Sequence, residues 1–150
     1  MELSYILKEY QKLTTAELYE ILRLRQEVFI VEQDCPYQDA DGRDQPSHHL
    51  MGWAEGQLHS YARLVPKGVS YPDYASIGRV ITSQHIRRKG YGIPLMQKSI
   101  EAIKQLYPGE NIKLSAQAYA IPFYTSLGFV TSGTEYLEDD IPHIAMYLKC

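Results

Sequence analysis

At 150 residues, with 45% hydrophobic and 22% charged positions, the chain reads as one globular domain spanning residues 1–150. That length buries roughly two thirds of the surface an unfolded chain exposes. The balance of 15 basic against 18 acidic residues gives a net charge of −3, which excludes a global nucleic-acid-binding field and leaves any anion site to a local patch.

No apolar run is long enough to span a bilayer, and Met1-Glu2-Leu3-Ser4 begins neither a secretory signal nor an Arg-rich transit peptide, so a cytoplasmic location without membrane contact is expected. Thr14 with Glu17 forms a capping box that opens a helix carrying Leu18, Ile21, Leu22, Val28 and Phe29 at helical spacing. Arg25 falls on the face of Leu18, Leu22 and Phe29, where an unpaired guanidinium is costly, and so requires an acidic partner or a ligand. Glu32 to Ser47, rich in Asp, Gly, Pro and Gln, is an irregular loop of a length that is usually functional or disordered. His48–Ala54 and Gln57–Val65 are strand-like runs around the hairpin signal Glu55-Gly56. Ala75–Thr82 is a strand in which Gly78 marks a bulge or a close ligand approach. A helix from about Tyr91 to Tyr107 follows, with Met96, Ile100, Ile103 and Tyr107 on one face, and stops at Pro108-Gly109. Ile112, Leu114 and Ala116 alternate as a short strand. A helix over Pro122 to Leu127 ends at Gly128, with Phe129 closing over it, and strands near Val130–Leu137 and His143–Leu148 flank Glu138-Asp139-Asp140. Cys35 and Cys150 lie outside any C-x-x-C pair and read as reduced thiols, and nothing in the pattern calls for a metal.

Between the third strand-like run and its helix stands Arg87-Arg88-Lys89-Gly90-Tyr91-Gly92. A helix start leaves N–H groups unpaired and carries the positive dipole end, glycines let the main chain curl round a phosphate, and three cations add charge. The same glycines could equally make a tight strand-to-helix turn, with the cations a solvated face. No Gly-Lys-Ser/Thr follows, and Pro94 and Leu95 break the spacing to a third glycine, which removes the triphosphate loop and the dinucleotide fingerprint.

Downstream lies Gln117-Ala118-Tyr119-Ala120-Ile121-Pro122-Phe123-Tyr124-Thr125-Ser126-Leu127-Gly128-Phe129. With the first loop it resembles the GNAT superfamily of N-acetyltransferases, in which R-x-x-G-x-G after the fourth strand holds the coenzyme A diphosphate and N-x-x-A-x-x-x-Y-x-x-x-G-F follows the fifth. Arg23-Leu24-Arg25, Glu32-Gln33-Asp34-Cys35-Pro36-Tyr37, Asp41-Gly42-Arg43-Asp44 and Tyr136-Leu137-Glu138-Asp139-Asp140-Ile141-Pro142-His143 narrow the resemblance to the ElaA-like members, over nearly the whole chain.

The resemblance implies an α/β fold with a mixed, mostly antiparallel central sheet, flanking helices, and fourth and fifth strands that splay to admit the cofactor. It implies an acyltransferase that passes the acetyl group of acetyl-CoA, a co-substrate, to a primary amine by direct attack in a ternary complex. The alternative is a non-catalytic coenzyme A-binding or sensor domain. Val80, Ile81 and Thr82 would pair with the pantetheine through their main chain. The N–H groups of Arg88, Lys89, Gly90, Tyr91, Gly92 and Ile93 would hold the diphosphate, with Arg87 reaching back to it. Tyr91 is expected to face the sheet, and Gly90 and Gly92 to be needed because a Cβ obstructs the phosphate. Gln117 stands where the family has Asn, and Tyr124 matches the tyrosine that donates a proton to the departing sulfur. No carboxylate lies on Ala75–Thr82 or Ile112–Ala116, which leaves His48, His49, His143, the acidic loops or a water chain as the amine's base. The expected acceptor is a small-molecule or peptide amine facing the acidic Glu32–Asp44 and Glu138–Asp140 segments, with a homodimer left open.

Overall fold

The computed structural model describes residues 1–150. In chain order the elements are β1 (Ser4–Glu9), α1 (Thr15–Arg25), a π-helical continuation (Gln26–Glu32), β2 (His48–Ala54), β3 (Gln57–Val65), β4 (Ser76–Thr82), α2 (Gly92–Leu106), β5 (Ile112–Gln117), α3 (Ile121–Ser126), β6 (Val130–Glu138) and β7 (Ile141–Leu148). They build two sheets, an antiparallel meander β1-β2-β3-β4 and a three-stranded sheet in the order β5-β7-β6. No helix is long and apolar enough to cross a membrane.

Local chemistry explains most of these boundaries. The Thr14 hydroxyl accepts from the Glu17 N–H while the Glu17 carboxylate accepts from the Thr14 N–H, closing the expected capping box. Glu55 and Gly56 both take positive φ, +53° and +74°, which matches the twist of a two-residue hairpin between β2 and β3. At the end of α3, the Phe129 N–H reaches the Tyr124 carbonyl and the Gly128 N–H the Thr125 carbonyl, with Gly128 at φ +99°. This is the Schellman arrangement the glycine-aromatic pair announced. Strand β1 has no counterpart among the expected elements. It lies at the sheet edge beside β2, with Ile6 and Leu7 both partly in water, so its apolar residues lack the alternation of a half-buried strand.

Two apolar clusters cover the two faces of the first sheet. Ile21, Leu24 and Val28 pack on Met51, Leu58, Tyr61 and Ile81. The larger cluster sets Leu95, Met96, Ala102 and Ile103 of α2 against Leu50, Leu64 and Ile77, then continues through Ile112, Leu114, Ile144 and Met146 into the second sheet. Ile77 and Ile81 share parity along β4 yet serve opposite faces, because a bulge between them places Arg79 at φ +49° and shifts the register with β3. The bulge is the disturbance Gly78 suggested, and it is what turns the outer half of β4 toward the site.

Candidate active site

β4 and β5 run parallel but meet only at Ala75 and Ile112. There the Ala75 N–H donates to the Asn111 carbonyl and the Lys113 N–H to the Ala75 carbonyl, both at 3.0 Å. Beyond this bridge the strands diverge, and a cavity of about 910 Å³ opens between them, at the upper end of ordinary ligand pockets (~300–1,000 Å³). Its walls include Val80, Ile81 and Thr82 on β4, Arg87, Arg88 and the stretch Gly90 to Ile93 at the start of α2, and Gln117 and Tyr124 across from them.

The loop before α2 has the form of an anion cradle. The N–H groups of Arg88, Lys89, Gly90 and Tyr91 donate to no acceptor within the chain, and those of Gly92 and Ile93 lie in the first helical turn, where no intrahelical partner exists. Arg88 and Gly90 both have positive φ, +64° and +85°, a main-chain curl that turns N–H groups inward. A Cβ on Gly90 would meet no protein atom within 4 Å, so backbone conformation, and not packing, demands glycine there. Gly92 differs from the expectation. Its added Cβ would lie 3.2 Å from the Phe123 ring, so helix-on-ring packing already excludes a side chain.

Arg87 does not point into the cradle. Its guanidinium donates to both Glu32 oxygens, at 2.7 and 3.3 Å, and to the Thr82 carbonyl at 2.9 Å, linking the π-helical segment to the loop before α2 across the cavity mouth. The Arg87 hydrogen bond holds the Glu32 carboxyl below the usual range, against a smaller upward push from burial. Lys89 is the one expected residue that does not line the cavity, its ammonium donating to the His85 carbonyl. Tyr91 does line it, and its hydroxyl donates to the Met1 carbonyl instead of facing the sheet.

Across the cavity the Tyr124 ring is wedged edge-on between Phe123 and Phe129, with centroids at 5.1 and 5.8 Å. Packing therefore fixes its position, while the hydroxyl makes no hydrogen bond within the chain. Burial pushes its pKa up to about 12, with a smaller contribution from Tyr119. Gln117 ends β5, and its amide donates to Gln33 at 3.4 Å, reaching over to the loop that follows the π-helical segment.

That loop is clamped by buried ion pairs. Arg25, fully buried as its helical position demanded, donates through Nε to Asp39 at 2.8 Å and through Nη1 to Asp44 at 2.7 Å. Arg63 on β3 bonds Asp41 and Asp44, and Arg79 on β4 bonds Asp39 at 2.7 Å. The buried stripe of α1 is Ile21, Leu24 and Arg25, one step round from the expected Leu18 and Leu22. The π-helical turn that follows brings Phe29, Glu32 and Gln33 into the cavity wall. Arg79 escaped sequence reasoning, with Gly78 the only signal near it, and Glu32 was expected in the acidic wall but not as the partner of Arg87. Cys35 also lines the cavity, its thiol donating to the Asp139 carbonyl at 3.3 Å. Burial and then the carboxylates of Asp139 and Asp140 push that thiol's pKa up, which keeps it protonated and unsuited to nucleophilic attack.

The comparisons agree with this architecture. Residues 6–150 match the acetyltransferase (GNAT) domain family. The protein ElaA of Escherichia coli (strain K12) is 41% identical over 139 residues, covering 91% of this chain and 90% of its own. The crystal structure of an acyl-CoA N-acyltransferase from Pseudomonas aeruginosa superposes with a TM-score of 0.91 at 44% identity, over 97% of this chain and 99% of that one. The crystal structure of Escherichia coli ElaA gives 0.90 at 38% identity, over 96% and 98%. A splayed mixed sheet, a phosphate-type cradle at the start of α2 and likeness across the whole chain converge on one assignment: the protein belongs to the GNAT acetyltransferase family, among the relatives of ElaA.

Proposed function

We propose that the protein transfers an acetyl group from acetyl-CoA to a primary amine by direct attack in a ternary complex. The observation that carries this reading is the pairing of an open β4 edge with a cradle of unpaired N–H groups in one cavity. An extended polar chain pairs with a strand edge, and a diphosphate suits a curled main chain at a helix start. Coenzyme A has both parts, and its thioester supplies the activated acetyl group.

In this reading Val80, Ile81 and Thr82 align the pantetheine through their main chain and polarise the thioester carbonyl. The N–H groups from Arg88 to Ile93 take the diphosphate. Arg87 meets that charge by sharing or exchanging Glu32, and Lys89 contributes only long-range attraction. Gln117, already bonded to Gln33, closes the side of the slot. Tyr124 presents its free hydroxyl to the departing sulfur.

Calorimetry with coenzyme A tests the cradle. Gly90→Ala should weaken binding about tenfold or more, equivalent to at least ~1.4 kcal/mol, and should cost about 1–2 kcal/mol of stability through its left-handed backbone. Unchanged affinity removes the cradle. Thiol release from acetyl-CoA with a panel of amines tests the reaction, and binding without any release supports a non-catalytic coenzyme A domain instead.

A further inference from the structure

Four of the five histidines have tasks in the fold. His49 is fully buried, with its ring nitrogens 2.7 Å from the Tyr61 hydroxyl and 2.9 Å from the Asp44 carbonyl. His48 meets the Tyr107 hydroxyl, His59 meets the Ser83 hydroxyl, and His85 packs edge-on against His59. His143 on β7 is also buried, but it lies in the cavity wall.

Its Nδ1 lies 2.7 Å from the Ile141 carbonyl, which can only accept, so Nδ1 carries the hydrogen and the lone pair of the neutral ring sits on Nε2. Nε2 faces Glu138 Oε2 at 3.4 Å, a second acceptor. The neutral ring thus has no donor for its lone pair within the chain, while the protonated ring has a carboxylate in place. The Tyr136 ring lies nearly parallel to the imidazole at 6.3 Å and 20°, and the Ser115 hydroxyl bonds the Tyr136 hydroxyl. Gln117 and Tyr136 are the register partners of His143 on the two neighbouring strands, so the three side chains share one face of the sheet.

We infer that His143 is the base that removes a proton from the acceptor ammonium, with Glu138 stabilising the imidazolium. The inference rests on the acetyl-transfer reading above. One ammonium proton passes to Nε2, and the freed amine forms a C–N bond to the thioester carbonyl carbon. The C–S bond then breaks and its electron pair leaves on sulfur. The second amine proton goes to that thiolate, completing the thiol, and His143 returns its own proton to water past the half-exposed Glu138. The charged and titratable groups facing His143 from its neighbours are Glu138 and Tyr136 on β6 and Asp139 in the turn. Across the cavity stand Cys35, Glu32 with its partner Arg87, and Arg79 beside Tyr37.

The test compares wild type with His143→Gln on two peptides, using acetyl-CoA as donor. One has a free α-amino group (pKa about 7.7–8.0) and no lysine, and the other is blocked at its N-terminus and has one lysine (about 10.4). The expected result is a loss in kcat of about a hundredfold, larger for the lysine peptide, with coenzyme A affinity unchanged and the acid limb of the kcat/KM profile moved to the pKa of each peptide's own amine. A merely structural histidine would lower both peptides equally and leave the acid limb in place, which overturns the inference. Should His143→Gln not fold, the same ratio is read in Glu138→Gln, where a larger loss on the lysine peptide supports the inference and an unaltered ratio overturns it. A wild type that acetylates no amine overturns the acetyl-transfer reading and the base with it. Transfer by wild type matched by the variant overturns the base alone.

Discussion

Tyr124 sits between two aromatic rings with its hydroxyl unpaired, and its pKa near 12 limits what it can do for a departing thiolate. An ordinary thiol lies near ~8.5, so surrender of the phenolic proton to sulfur is uphill by roughly 5 kcal/mol. In the acetyl-transfer reading proposed above, a donated hydrogen bond is the role left to it, with the proton kept on oxygen. Tyr124→Phe should lower kcat about a hundredfold while the KM for acetyl-CoA holds. Its pH profile should run parallel to wild type through the alkaline range, and steady-state kinetics across pH check both points. Much at this scale was legible from local chemistry: Tyr124 and Gln117 in the cavity lining from motif spacing, Arg25 from its place on an apolar face, and Gly90 as a needed glycine, although the structure adds a left-handed backbone to the steric reason expected. Gly92 was legible as a necessity but for the wrong neighbour, since the Phe123 ring is distant in sequence. Tyr91 was misdirected, and the Glu32 partner of Arg87 was unforeseen, because Met1 and Glu32 become their neighbours only on folding. His143 could not be separated from His48 or His49 by sequence, because only folding decides which ring nitrogens already have partners.

Among the elements, the helix pair α1 and its π-helical continuation do two jobs in succession. The first part buries Ile21 and Leu24 with Arg25, and the second turns Phe29 and Glu32 to the cavity. Periodicity at 3.6 residues read both as one helix, because a π turn leaves no mark in an apolar pattern. The loop from Gln33 to Ser47 depends on Arg25 for its anchorage through Asp39 and Asp44. Arg25→Met leaves two carboxylates short of a partner and should cost about 3–5 kcal/mol of stability. Amide exchange in residues 33–47 should quicken beyond that in α2, as hydrogen exchange would show. Equal acceleration in both would make Arg25 a general stabiliser and not an anchor for this loop.

Over the whole molecule, a balanced cluster of Arg25, Arg63 and Arg79 with Asp39, Asp41 and Asp44 fastens one loop to a helix and two strands. Burial alone would raise the carboxyls of Asp41 and Asp44, yet hydrogen bonds from Arg63 to the first, and from Arg25 and Arg63 to the second, leave both depressed. Depressed carboxyls bind protons less readily folded than unfolded, so their contribution is complete above the unfolded value of about 3.9 and drains as pH falls through the folded values. Thermal melts should therefore change little through this cluster from neutrality to about pH 4 and fall steeply below it. Asp41→Asn should flatten that fall, and an unchanged slope would remove Asp41 from the account. The two sheets were expected as one splayed sheet, and the single bridge between Ala75 and Ile112 is the physical content of that splay. The open edge of β4 also bears on how the protein can vary. Whatever it holds, it holds through N–H and C=O groups that every residue except proline possesses, so exchanging Val80 or Ile81 for another side chain retunes the core and leaves that edge in place. The opposite wall, at Glu32, Tyr37, Glu138 and His143, is written in side chains that single substitutions can rewrite. The backbone-lined half of the cavity is thus insulated from mutation, and the half lined by side chains is free to diversify.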